Sequence, residues 1–80
     1  MKIIKLIRSL SLLQRKLLAD EVGTSAGYLN GLDDKGRTPS IHLVYKIYKS
    51  DFNRSLQKGR KFTKKDFVDF VDIAMERDNG

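Results

Sequence analysis

The chain reads as an all-α protein, a compact bundle of about five helices around a central pair of short helices joined by a tight turn. Three observations predict this. Apolar residues recur at three- and four-residue spacing through most of the chain, which is the period of a helix face. Ser11, Ser25 and Thr63 stand where helices would begin, and Gln14 and Asp66 follow two of them at capping-box distance. The only clear loop is DDKGRTPS, from Asp33 to Ser40. Eighty residues make one domain, near the lower size at which a single core suffices.

The first helix runs from about Lys2 to Leu10. Ile3, Ile4, Leu6, Ile7 and Leu10 form its apolar face, and Lys2, Lys5 and Arg8 lie on the rim. Ser11 and Gln14 open the second helix, which carries Leu13, Leu17, Leu18 and Val22 inward and leaves Arg15 and Lys16 on the solvent side. Gly23 ends it, because only glycine takes a left-handed conformation without a β-carbon penalty. Ser25 caps the third helix. Leu29 and Leu32 pin that helix down and turn Ala26, Gly27, Asn30 and Gly31 outward. Thr38 as cap and Pro39 at the first helical position start a fourth helix that reaches about Ser50. Its inward stripe is Ile41, Val44, Ile47 and Tyr48, widened by Leu43.

The pattern weakens from Asp51 to Lys61, where Phe52 and Leu56 close the core and KGRK, Lys58–Lys61, makes a basic turn. Thr63 and Asp66 then cap a fifth helix that reaches about Arg77, with Phe62 and Phe67 spaced as a hydrophobic staple. Phe67, Phe70, Val71 and Ala74 form its stripe, which Val68, Ile73 and Met75 extend. So wide a face either completes the core or meets a second copy. The chain therefore divides into residues 1–57, with the central helix pair, and 58–80, with the basic turn and the C-terminal helix.

Composition limits the functions available. There is no cysteine and one histidine, His42, so neither a disulfide nor a multi-histidine metal site is expected. No glycine-rich loop precedes a Lys-Ser/Thr pair, and the carboxylates cluster on the last helix rather than converging. No catalytic residue, metal or cofactor is expected, and the protein is not read as an enzyme. The net charge is +6. Residues 1–65 hold 15 Lys/Arg against five acids, and residues 66–80 hold Arg77 against five acids. A basic body with an acidic tail favours a polyanionic partner such as nucleic acid. Arg8 interrupts the apolar run at the start and no small-residue cleavage site follows, so no signal peptide is expected. Nothing approaches the roughly 18 apolar residues of a membrane span. The expectation is a cytoplasmic protein, although the basic amphipathic start also has the character of a membrane-surface helix.

The stretch Leu18 to Leu32, LADEVGTSAGYLNGL, with Ala19 small where two helices cross and Gly23 at the turn, resembles the helix-turn-helix of the Cro/C1 repressor-type (XRE-like) family of DNA-binding proteins. GRTP, Gly36 to Pro39, resembles the G-x-R-x-P segment that follows the recognition helix in that family. The resemblance covers roughly Ile3 to Leu56, about two thirds of the chain. It implies a lambda-repressor-like fold and a transcriptional regulator, a repressor of phage or mobile-element type. Such a protein binds double-stranded DNA as a homodimer, with residues of about 25–32 in the major groove. One departure is clear: the family opens its second helix with Ser-Gln, whereas this chain has Gln14 and Arg15.

On that reading Asn30 contacts a base edge, and its amide suits adenine. Tyr28 meets a thymine methyl or a phosphate. Thr24 and Ser25 hold phosphate at the helix start, while Ala26 and Gly27 permit close approach. Arg15, Lys35 and Arg37 contact the DNA backbone. Gly27 and Gly31 each cost an isolated helix about 1 kcal/mol relative to alanine. The rival reading is an antitoxin or other protein-interaction module whose C-terminal helix binds a protein partner. RNA binding is a third option, for which the chain lacks a stacking platform on a sheet.

Overall fold

Side-chain caps open every α-helix of the chain but the first. The structure is a computed structural model that describes residues 1–32 and 37–79, with side chains described through Arg77. Its elements are α1 (Lys2–Ser9), α2 (Leu12–Val22), α3 (Ala26–Asn30), α4 (Ile41–Lys49), α5 (Asp51–Ser55), a 3-10 turn (Lys58–Arg60) and α6 (Lys64–Asn79). The protein is all-helical among the described residues, with one more α-helix than expected.

Several caps form as the sequence predicts. The Ser11 hydroxyl accepts from the Gln14 N–H at 3.1 Å, and the Ser11 N–H donates to Gln14 Oε1 at 2.9 Å. Gly23 ends α2 in the left-handed region, at φ 80°. Thr63 and Asp66 cap α6 reciprocally, with backbone-to-side-chain distances of 2.9 and 3.2 Å. The start of α4 differs. Ser40 is its cap, accepting from the Leu43 N–H at 3.1 Å, while Pro39 is buried outside the helix and Thr38 accepts from Arg77 Nη1 at 2.8 Å. The hydroxyl nearest the helical dihedrals does the capping, so Pro39 is not the first helical residue.

The core gathers Ile3, Ile4, Ile7 and Leu10 from the first segment with Leu18, Ala19 and Val22 of α2, Leu29 of α3, Leu32, and Val44 and Ile47 of α4. Phe62 and Phe70 belong to the same cluster, and α6 packs on α1 and α4. Phe67 stacks on Tyr48 with ring centroids 5.6 Å apart and planes 7° from parallel. Val68, Ile73 and Met75 do not extend this inward stripe; they are exposed. Phe67, Phe70, Val71 and Ala74 centre the buried stripe, and at about 100° per residue the other three fall on its flanks.

The larger correction concerns α2. Leu13 and Leu17, expected inside, are 66% and 54% exposed, and Leu12 is 72% exposed. The buried face consists of Leu18, Ala19 and Val22, and at about 100° per residue Leu13 and Leu17 fall on the opposite side. Arg15 belongs to the buried side of the helix and is half-buried, not turned to solvent as expected.

The helix missed by periodicity, α5, is held by side chains from elsewhere. Ser50 closes α4 by donating to the Ile47 carbonyl at 2.6 Å and opens α5 by accepting from the Asn53 N–H at 3.0 Å. The Glu21 carboxylate, across on α2, accepts from the Asp51 and Phe52 N–H groups, the latter at 3.0 Å. That contact covers donors which a helix start leaves without partners. Asn53 is only 4% exposed. Its amide nitrogen donates to the Tyr48 and Phe62 carbonyls at 3.0 and 2.8 Å, and its oxygen accepts from the Phe62 N–H at 2.8 Å.

At the other end of the core, Lys2 Nζ lies 3.0 Å from Asp66 Oδ2 and joins α1 to α6. Burial pushes the Asp66 carboxyl up, but hydrogen bonds from the Thr63 backbone, from Lys2 and from the Thr63 hydroxyl outweigh it. The net effect holds Asp66 below the usual carboxylate range.

Candidate functional site

Of the sequence-predicted residues, Arg15, Thr24, Ser25, Ala26, Gly27, Tyr28 and Asn30 lie on α2, α3 and the turn between them. Gly23 carries the chain away from α2, and the Thr24 N–H closes the turn on the Ala19 carbonyl at 2.9 Å. Ser25 then caps α3, accepting from the Tyr28 N–H at 3.0 Å. Leu29, 1% exposed, anchors α3 in the core, and Leu32, 3% exposed, anchors the residues just beyond it. The helix is shorter than the expected span of about 25–32, since it ends at Asn30 and the Gly31 N–H turns back to the Gly27 and Tyr28 carbonyls, both at 3.1 Å.

What this leaves outside is Ser25, Gly27, Asn30 and Gly31, all exposed, with Thr24 and Ala26 half-buried beside them. Tyr28 is also half-buried and packs against the core, so part of its ring is spent on structure. Neither glycine of α3's outward face is required by the backbone. Gly23 is the described glycine with positive φ, whereas Gly31 has φ −86°. A β-carbon at Gly27 meets nothing nearer than Ser25 Oγ at 4.0 Å. Gly27 thus leaves part of this face without a side chain, where another molecule can approach the backbone, whereas a β-carbon at Gly31 would touch the Arg37 guanidinium and two carbonyl oxygens at 3.6 Å.

Arg15 forms the centre of the site. Its Nε donates to the Ile7 carbonyl at 3.0 Å and its Nη2 to the Arg8 carbonyl at 3.2 Å, capping the C-terminal end of α1. Its Nη1 donates to Asn30 Oδ1 at 2.9 Å. One guanidinium therefore ties α1, the start of α2 and the end of α3 together. Arg37 is exposed, and its Nη1 lies 3.6 Å from the place of a Gly31 β-carbon, near the end of α3. Lys35 lies outside the described residues.

No local signal reveals the Arg15–Asn30 pair, because its members stand fifteen residues apart. The exposed leucines of α2, Leu12, Leu13 and Leu17, were likewise missed as a surface. Among the described residues, no group of three or more His, Cys, Asp or Glu side chains is placed to hold a metal ion. No described helix is long and apolar enough to cross a membrane. No protein-family model, curated protein or solved structure matches the chain.

Proposed function

We propose that the protein is a sequence-specific double-stranded-DNA-binding regulator of the Cro/repressor kind, with α2 and α3 as its helix-turn-helix and α3 in the major groove. The observation that carries this reading is the outward face of α3. The face is bare at Gly27, where the backbone does not need a glycine, and beside it stands a polar reader, Asn30, held by a cationic side chain on a chain of net charge +6. A bare helix face favours close approach to a groove, and the positive charge favours a polyanion. Asn30 contacts a base edge, Arg37 contacts the phosphate backbone, and the molecule acts by binding and not by catalysis.

Selection from a random-sequence duplex pool at two salt concentrations tests the proposal. A palindrome with half-sites about one helical turn apart supports a dimeric reader. Salt-dependent binding without an enriched sequence leaves a non-specific basic module and refutes sequence-specific reading. Absence of binding at low salt refutes DNA binding altogether. Within the proposal, Arg37→Ala weakens binding to every sequence and flattens the salt dependence, because one phosphate contact is lost.

The protein-interaction reading also has a specific observation behind it. Leu12, Leu13 and Leu17 on α2 and Val68 and Met75 on α6 are large exposed apolar side chains in a small domain. Under that reading the C-terminal helix meets a second copy or another protein. Co-purification of a different protein favours the antitoxin-like alternative, whereas a clean homodimer favours the regulator.

A further inference from the structure

A guanidinium carries donors and no acceptor, so only the oxygen of the Asn30 amide can face Arg15. The 2.9 Å contact from Nη1 to Oδ1 thereby fixes which way the amide points. With its oxygen turned toward Arg15, Asn30 directs its nitrogen, with two N–H donors, elsewhere. Among the described residues no acceptor receives a hydrogen bond from that nitrogen. Arg15 itself has five N–H donors. Three are directed to Ile7, Arg8 and Asn30, so one remains on each terminal nitrogen. The polar group exposed at the end of α3 is thus a cluster of donors.

Bidentate recognition of adenine requires an acceptor for the N6 amino group and a donor to N7, set side by side on one amide. Here the acceptor faces a cation that would repel an amino group. Guanine presents two acceptors on the same groove edge, O6 and N7. Resting on the reading of α3 as the groove helix, we infer that the Arg15–Asn30 pair makes this protein a guanine reader, with Asn30 the base-contacting residue and Arg15 the residue that sets its polarity.

The test uses the full chain in the duplex-pool selection, comparing wild type with Asn30→Asp and Arg15→Lys. Asn30→Asp preserves a partner for Arg15 but removes both outward donors. Arg15→Lys keeps the positive charge while losing the planar fork that holds the amide. The wild type is expected to select a guanine at one position of each half-site, and to bind about tenfold less tightly when that guanine is replaced by adenine. Asn30→Asp is expected to lose preference at that position alone. Arg15→Lys is expected to bind at low salt but to accept adenine there. Circular dichroism of each variant establishes that α-helical content is retained, and Asn30→Asp, at an exposed position, keeps the test decisive even where Arg15→Lys unfolds. An adenine at the Asn30-dependent position overturns the inference while leaving DNA reading intact. The same sequence selected by wild type and Asn30→Asp overturns the role of Asn30. Absence of any enriched sequence overturns the underlying reading and the inference with it.

Discussion

Gly27→Ala separates what α3 needs for stability from what it offers to a partner. The new β-carbon would stand in open space, 4.0 Å from Ser25 Oγ, on an exposed helical residue without positive φ. Alanine in a helix interior is worth about 1 kcal/mol over glycine, and roughly half of that applies in a first turn such as this. A domain of this size gains about 4–8 °C in Tm per kcal/mol, so the variant is expected to melt about 2–4 °C higher. DNA affinity is expected to move the other way, by about tenfold, since a methyl group forced into a close-packed contact costs on the order of 1–3 kcal/mol. Thermal melts followed by circular dichroism, paired with anisotropy titrations of a selected duplex, measure both. A raised Tm with unchanged affinity would refute close approach of the α3 backbone. A lowered Tm would refute the open geometry at Gly27.

Three further outcomes follow from the packing. Asn53→Ala strands the Phe62 N–H and two backbone carbonyls in a buried place, and urea denaturation should show a loss of about 3 kcal/mol; a loss below about 1 kcal/mol would show that water replaces the amide. Asp66 has a lowered folded-state pKa, so its contribution to stability is full above the ordinary carboxylate pKa and disappears as pH falls through the folded value. Stability measured down through the acid range should therefore fall less steeply in Asp66→Asn than in wild type, and equal slopes would remove Asp66 from the account. Leu17→Ala should change stability by no more than about 0.5 kcal/mol, whereas Leu18→Ala should cost about 2–5 kcal/mol, because Leu17 is exposed and Leu18 is fully buried; similar losses at the two positions would mean that Leu17 is covered in solution.

The features legible in the sequence are those whose cause is local. Ser11 with Gln14, Ser25, Thr63 with Asp66, and Gly23 each act within a few residues, and each cap forms where the spacing predicts. The features that escaped have distant causes. Helix α5 is five residues long and, beyond its local cap Ser50, takes further N-terminal acceptors from Glu21, thirty residues away on α2. Helix α2 carries leucines on two faces, and periodicity alone does not say which set meets α1 and α4. Helical spacing fits Leu13 and Leu17 facing inward, and the structure exposes both. At the start of α4, Thr38, Pro39 and Ser40 all have helix-start chemistry, and tertiary burial of Pro39 decides in favour of Ser40. The candidate site divides in the same way: its turn, cap and anchors were legible, whereas the pairing of Arg15 with Asn30 was not.

The consequence is that α3 owes its order to its surroundings. Five residues with a glycine among them are far short of the length at which an isolated helix is even marginal in water. Ser25 supplies the start, Leu29 and Leu32 supply burial, and Arg15 holds the far end while also closing α1. On the proposed reading, α3 reaches its partner already formed, so binding does not have to supply the ordering of the helix. It also means that α1 and α3 are mechanically joined through one side chain. A change that frays the end of α1 at Ile7 or Arg8 loosens the guanidinium, and with it the amide of Asn30, without touching any residue of α3.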